Sequence, residues 1–377
     1  MDGVQAATRI LTRSLHPERP DFTMPTTDSL QRRRSWWPLC LAALLGACTG
    51  NTKPTPAPAV IAPEPVADLR IGIALGGGAA KGFAHIGVIK MLEANGLEPV
   101  VVSGTSAGSV VGALYASGMD PFQMQQQAFA LDESKIRDVS LFSGGIIKGQ
   151  KLQDYVNELV DKRPLERMKK PFAVVSTQLE TGERTVFVRG NTGQAVRASS
   201  SIPGVFEPVT IGQKHYVDGG IVSPVPVDAA RELGADFVIA VDISTVASGK
   251  PPGSLLGNLN QSIAIMGRKL GAQELARADV VIRPKVDDIG PASFEQRNNA
   301  ILEGEKAAMA AMPQIRARLA AMQQARIDAA TAKARAIAAA KDKAAAEAAE
   351  RCAREQSRLG SLLGREPVCA ANAGASQ

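Results

Sequence analysis

"LRIGIALGGGAAKGFAHIGVIKMLEANGLEPVVVSGTSAGSVVGALYASG", residues 69–118, holds two strand-to-helix passages, and its reading sets the architecture of the rest. "LRIGIAL" is a strand. "KGFAHIGVIKMLEANG" is a helix ended by Gly96, "EPVVVSG" a second strand, and "SAGSVVGALYASG" a second helix with Gly118 as its stop. Farther along, "FAVVSTQ", "RTVFVRG" and "DFVIAVDIS" read as strands and "PVDAARELG" as a helix. Strands alternating with helices predict an α/β fold in which helices cover both faces of a mainly parallel sheet.

The run Gly76, Gly77, Gly78 between the first strand and helix has three possible uses: a turn, a phosphate cradle or an oxyanion site. The phosphate readings fail on residues. A dinucleotide fingerprint from Gly76 needs glycine where Lys81 stands, and an acid near the end of the second strand, where the chain has Val102 and Ser103. A P-loop needs glycine, then lysine, then Ser or Thr; here Lys81 is followed by Gly82 and Phe83. The second strand-to-helix passage is more telling. Gly104, Ser106 and Gly108 form G-x-S-x-G between an apolar strand and an Ala/Val/Leu helix, a sharp turn that exposes the hydroxyl. The helix N-terminus behind Ser106 favours negative charge developing there.

A nucleophilic serine needs a base. The histidines are His16, His85 and His215; His85 falls on the first helix, where a packed or surface role is the commoner fate. His215, just before "YVDGG", would complete a Ser-Asp-His set as in an α/β-hydrolase-type esterase. Asp218 is the stronger candidate, at a strand end with Gly219 and Gly220 letting its carboxylate approach, although Asp-Gly-Gly alone is usually a turn.

Glycine run, G-x-S-x-G and D-G-G in this order resemble the patatin-like phospholipase family, closest to its short bacterial members. The similarity runs through "FAHIGVIKMLE", "GTSAGSVVGALYASG", "SSSIPGVFEPV", "HYVDGGIVSPVPVDAARELGAD" and "VIAVD", from Leu69 to about Pro313. It implies a three-layer α/β/α fold, Ser106 as nucleophile and Asp218 as its dyad partner. It also implies an oxyanion hole in the glycine loop, with consecutive amides of Gly76, Gly77 and Gly78 converging on one oxygen and Ala107 as a further donor. Lys81 stands where arginine is common, keeping the cation without the fork; it either stabilises charge near the loop or makes a surface ion pair. "SSIPGVFEP", with Ile202, Val205 and Phe206, is either acyl-pocket wall or core. The implied substrate is membrane phospholipid or lysophospholipid. An ordinary aspartate, with a pKa of about 3.9, is a weaker base than imidazole, so such a dyad leans on its oxyanion donors. A catalytically inactive membrane-anchored scaffold is the reading from another class.

The 377 residues carry a formal net charge of +6, concentrated in Arg32, Arg33, Arg34 and the tail after Met322. Such basic runs are more often solvated helix faces than nucleic-acid sites, and no nucleic-acid partner is expected. Neither cysteine spacing nor an acid cluster suggests a metal, and no cofactor is expected. "RRRSWWPLCLAALLGAC" has a cationic start and an apolar run too short to remain as a span, and Leu45 to Cys48 resembles a bacterial lipoprotein box. Cys48 is therefore the expected lipidation site; an ordinary secretory signal is the alternative. Thr49 tilts the location toward the cell envelope at the outer membrane. The expected organisation is a signal over 1–47, with 1–23 outside its pattern. A proline-rich tether over 48–68 and a catalytic domain over 69–320 follow, then an alanine-rich helical or partly disordered tail over 321–377 that solvates or binds a protein partner. Cys352 and Cys369 are a candidate pair in an oxidising compartment. The stretch from Pro121 to Pro164, with Gly144 and Gly145, is read either as a cap or as a crossover connection.

Overall fold

The structure is a computed structural model that describes residues 66–363, apart from 133, 135, 137, 139–146, 245–252 and 254. These residues belong to one compact unit, Val60–Gln377. The expected signal, Cys48, nearly all of the tether, the Gly144–Gly145 pair and Cys369 lie outside the described residues.

Strand β1 (Ile71–Leu75) leads into α1 (Phe83–Ala94), and β2 (Val101–Thr105) into α2 (Ala107–Ala116). Helices α3 (Pro121–Ala130) and α4 (Gln150–Leu159) precede β3 (Phe172–Gln178) and β4 (Arg184–Phe187). Then come α5 (Thr192–Ser199), β5 (Val209–Ile211), β6 (Lys214–Asp218), α6 (Val227–Glu232) and β7 (Phe237–Val241), followed by α7 (Leu255–Leu275), β8 (Val280–Ile282) and α8 (Arg297–Leu363). Strand β1 runs parallel to β2 on one side and to β7 on the other, and β7 runs parallel to β8. A central strand of this kind has no solvated face, which is why its sequence is continuously apolar. Ile73, Leu75, Phe237 and Ile239 pack with α1 and α8 on one side of the sheet. Ala74, Val238 and Ala240 pack on the other with Val227, Ala230 and Leu275 of α6 and α7. The three expected layers are present.

The sheet is less uniformly parallel than the alternation suggested. Strands β4 and β6 both pair antiparallel with β3, and β5 pairs antiparallel with β6. The Pro121–Pro164 stretch is the crossover from β2 to β3, and its helices pack within the fold, α3 on α1 and α4 on α5. Helix α3 starts on a capping box in which Asp120 accepts from the amides of Phe122 and Gln123, with Pro121 at the first helical position.

Helix α8 is 67 residues long, about 100 Å at 1.5 Å per residue, and contains Pro313. It runs through the boundary expected near residue 320. Its first part is core: Ala300, Ile301, Ala308, Met312 and Ile315 are buried. After Met322 the helix is exposed or half-exposed as far as Arg358, and Cys352 lies on this exposed part. The crossing of α8 over α1 depends on two facing glycines. A Cβ at Gly87 would sit 2.0 Å from the Ile301 carbonyl, and one at Gly304 would sit 2.0 Å from the Ala84 carbonyl.

Candidate active site

The pairing of β3 brings two distant parts of the chain together. Val174 and Val175 pair with both β2 and β4, so β2 and β4 occupy opposite edges of β3. Ser176 and Thr177 pair with β4 and β6, which puts β6 on the same edge as β2. Strand β2 ends with Thr105 opposite Val175, and β6 takes over with Asp218 opposite the next residue, Ser176. The first residue to leave β2, Ser106, therefore meets the last residue of β6.

Ser106 has φ 52° and ψ −124°, a conformation that a non-glycine residue adopts only when its surroundings over-determine it. Those surroundings are visible. Its amide donates to Ser199 Oγ at 2.9 Å, and the Ser199 hydroxyl in turn donates to the Val175 carbonyl at 2.5 Å. Its carbonyl accepts from the Ser109 hydroxyl at 2.6 Å and from the Ser109 amide at 2.8 Å. The turn also needs Gly108, where a Cβ would fall 2.1 Å from the Leu75 carbonyl. Gly104, one turn beneath, faces the Gly108 carbonyl just as closely.

The Ser106 hydroxyl lies near enough to the Asp218 carboxylate to favour its ionised form, and that carboxylate accepts from the Gly220 amide at 2.7 Å. The Asp218 amide donates to the Ser201 carbonyl at 2.9 Å, and its carbonyl accepts from the Thr177 hydroxyl at 2.8 Å. Gly219 passes so close to β3 that a Cβ would overlap the Val175 carbonyl. Burial pushes the Asp218 pKa up from 3.8 to about 6, against the Ser106 hydroxyl and the Gly220 amide, which favour its ionised form. The weak base expected from sequence is thus stronger in place, because the fold strips water from it.

The glycine loop lies against this pair, with a Cβ on Gly77 falling 3.2 Å from Ser106 Cβ. Its amides divide differently from the expectation. Gly76 N–H donates to the Val241 carbonyl and Gly77 N–H to the Pro224 carbonyl, both at 3.0 Å, so in this geometry they hold the loop in place. Among the described residues, the amides of Gly78, Ala79 and Ala107 meet no acceptor. Ala79 has φ 51°, a left-handed conformation at the loop's exit. The loop is anchored below by His85, which is fully buried and donates from Nε2 to the Gly76 carbonyl at 2.8 Å. Burial lowers the His85 pKa to about 4, so the ring is neutral. Lys81 is buried instead of at the surface. Desolvation lowers its pKa, and the carboxylates of Asp287 and Asp288 counter that effect.

His215 lies apart from this cluster. It is three residues before Asp218 on β6, half exposed, with Nδ1 2.6 Å from Glu180 Oε1. Of "SSIPGVFEP", Ile202, Val205 and Phe206 are half-buried just after α5, and Phe206 bridges Ile147. Sequence reasoning missed Ser199 and the brace His85 gives the loop. Ser199 stood inside a quoted serine run, but nothing in that run says which hydroxyl faces Ser106.

Residues 73–231 match the family model described as patatin-like phospholipase. An uncharacterised NTE family protein of Mycobacterium tuberculosis is 35% identical over 196 residues, covering 52% of this chain and 54% of that protein. Patatin-like phospholipase domain-containing protein 6 of Mus musculus is 31% identical over 46% of this chain and 14% of its own length. The chain spans about half the length of the first curated relatives it matches. Among solved structures, VipD from Legionella pneumophila aligns over 65% of this chain and 66% of its own, with 17% identity and a TM-score of 0.43. Over residues 73–231 this chain therefore carries a domain of the patatin-like phospholipase family.

Proposed function

We propose that this chain is a serine acyl-ester hydrolase acting on phospholipid or lysophospholipid, with Ser106 as nucleophile and Asp218 as its general base. The observation that carries the reading is the meeting of a hydroxyl at a strained strand-to-helix turn with a buried carboxylate, beside three backbone amides that meet no acceptor among the described residues. Ser106 Oγ attacks the ester carbonyl carbon as its proton passes to Asp218. The carbonyl oxygen becomes an oxyanion, stabilised by the amides of Gly78, Ala79 and Ala107 and by the N-terminus of α2. Collapse of the tetrahedral species breaks the ester bond, and the leaving alcohol takes the proton from Asp218. A water then attacks the acyl-serine with Asp218 again as base, releasing fatty acid. A general base contributes roughly 10²–10⁴-fold, and an aspartate near pKa 6 is better matched to neutral pH than one near 4. The family of the domain and the names of its relatives support the acyl-hydrolase class.

Fatty-acid release from lysophospholipid and from phospholipid vesicles tests this. Ser106→Ala and Asp218→Asn should each lose the activity, and His215→Ala should keep it. Loss in His215→Ala with retention in Asp218→Asn would move the base to the histidine. A fluorophosphonate should label wild-type protein at Ser106; an inert scaffold would stay unlabelled. The proposal extends to location: Cys48 is lipidated and holds the enzyme at the cell envelope. Cys48→Ser should then shift the protein from the membrane fraction to the soluble one, and an unchanged distribution would remove the anchor.

A further inference from the structure

One buried carboxyl has no part in the chemistry so far. Glu274, the penultimate residue of α7, is 6% exposed. The Ser223 hydroxyl donates to its Oε1 at 2.5 Å and the Val225 amide to its Oε2 at 2.9 Å. Those two residues belong to the segment that leaves Asp218, and this segment touches every part of the site. The Ser223 amide donates to the Gly219 carbonyl at 2.8 Å. The Ser223 carbonyl accepts from the hydroxyl of Thr105, the residue before the nucleophile, at 2.8 Å. The Pro224 carbonyl accepts from the Gly77 amide at 3.0 Å.

We propose that Glu274 is a positioning residue: its carboxylate clamps Ser223 and Val225, and so fixes the two carbonyls against which the nucleophile strand and the glycine loop are set. The inference rests on the reading of Ser106 and Asp218 given above. Packing alone does not account for a carboxyl here, because an apolar side chain of similar size would avoid the cost of desolvating it. What a carboxylate supplies is two acceptors, one for a hydroxyl and one for an amide, at the only α7 position seen bonding this segment among the described residues.

Burial raises the Glu274 pKa from 4.5 to about 7, against the bonds from Ser223 and Val225. The charged groups that face it are Asp228, which raises it further, and Arg277, which lowers it and is itself paired with Asp228. Above that pH both oxygens accept. On protonation the bond to Ser223 reverses, with the Glu274 hydroxyl donating to Ser223 Oγ while the other oxygen still accepts from the Val225 amide. The clamp therefore keeps both bonds in either protonation state.

The test uses full-length protein with a water-soluble short-chain ester, so that lipid packing plays no part. Glu274→Ala should lower kcat by about tenfold or more while KM changes little, since a small misplacement of the reacting groups costs rate first. In Glu274→Gln the amide oxygen still accepts from Val225 and the NH₂ still donates to Ser223 Oγ, so kcat at pH 8 should stay within about threefold of wild type. Its acid limb should match that of wild type, because protonated glutamate and glutamine offer Ser223 and Val225 the same donor and acceptor. A folded Glu274→Ala with wild-type kcat would overturn the inference. So would a folded Glu274→Gln whose kcat falls about tenfold or more although both bonds can be kept, a readout that holds even if the alanine variant does not fold. Ser106→Ala in the same assay separates the two levels: hydrolysis surviving there overturns the catalytic reading and this inference with it. Hydrolysis lost there but unmoved by Glu274→Ala overturns this inference alone.

Discussion

Asp218→Asn should make the protein more stable while removing its activity, and the size of the gain can be worked from the site. Asp218 is 7% exposed, and its pKa in the folded chain is about 6 against an ordinary value of 3.8. Below about pH 4 the carboxyl is protonated in folded and unfolded chains alike, and its charge has no bearing on stability. Between about pH 4 and 6 the folded chain keeps a proton that the unfolded chain has released. Stability falls as pH rises through that window and levels off above it. A shift of roughly two units at 1.36 kcal/mol per unit gives about 3 kcal/mol of cost at pH 8. Asparagine never bears the charge, yet its oxygen can still accept from Gly220 and its NH₂ can face Ser106 Oγ. Urea unfolding followed by circular dichroism should show Asp218→Asn about 2–3 kcal/mol more stable than wild type at pH 8 and nearly equal to it at pH 4. Glu274 titrates in both proteins and cancels in the difference. Ester hydrolysis should fall at least about a hundredfold in the same variant. An asparagine protein less stable than wild type at pH 8, or a gap that does not vary with pH, would refute the argument that burial opposes the charge on Asp218.

Other substitutions probe the supports. Ser199→Ala leaves the Ser106 amide and the Val175 carbonyl without their buried partner; it should cost about 1–3 kcal/mol by urea unfolding and lower kcat more than it raises KM. Gly304→Ala drives a methyl into the Ala84 carbonyl across the α1–α8 crossing. It should cost about 1–3 kcal/mol and lower the melting temperature, with Ser106 labelling at low temperature retained. Ending the chain after Gln323 removes the exposed part of α8 and should leave melting temperature and soluble-ester kcat unchanged; a marked loss of either would show that this part supports the fold.

The βαβα opening was legible because each signal is local: apolar strands, a helix stopped by Gly96, a serine between two glycines at a strand end. Ser106 and Asp218 could be singled out by composition and order, and their meeting is what the structure adds. The shortest strands were harder to read. Strands β5 and β8 have three residues each, too short for an alternation to show. The division of labour in the glycine run was not legible at all. Gly76 and Gly77 donate to Val241 and Pro224, whose carbonyls arrive from parts of the chain far along the sequence. Glu274 was silent for the same reason, since a glutamate near the end of an amphipathic helix reads as solvated until its burial is known. The part of α8 beyond residue 320 was read as a separate tail because alanine-rich sequence has high helix propensity but no core pattern. The buried positions up to Ile315 show that the same helix begins in the core.

The placement of the site follows from a change of partner on one edge of β3. In open α/β sheets a cleft forms beyond the carboxyl ends of the strands where the winding changes. Here the change is sharper: parallel β2 stops at Thr105, and antiparallel β6 ends on the same edge one residue farther on. Both strands end there, running toward each other, so their terminal residues meet along the edge of β3. The register is also unforgiving. A one-residue slip of β6 would turn Asp218 to the opposite face of the sheet. The Thr177 hydroxyl ties that register to β3 through the Asp218 carbonyl, and the bonds from the Asp218 amide to Ser201 and from the Gly220 amide to the carboxylate hold Asp218 in place. Weakening them, as in Thr177→Val, should lower the rate at which a fluorophosphonate labels Ser106 well before it lowers the melting temperature. Labelling that falls only in step with global unfolding would mean that the pair is set by the core as a whole and not by the edge of β3.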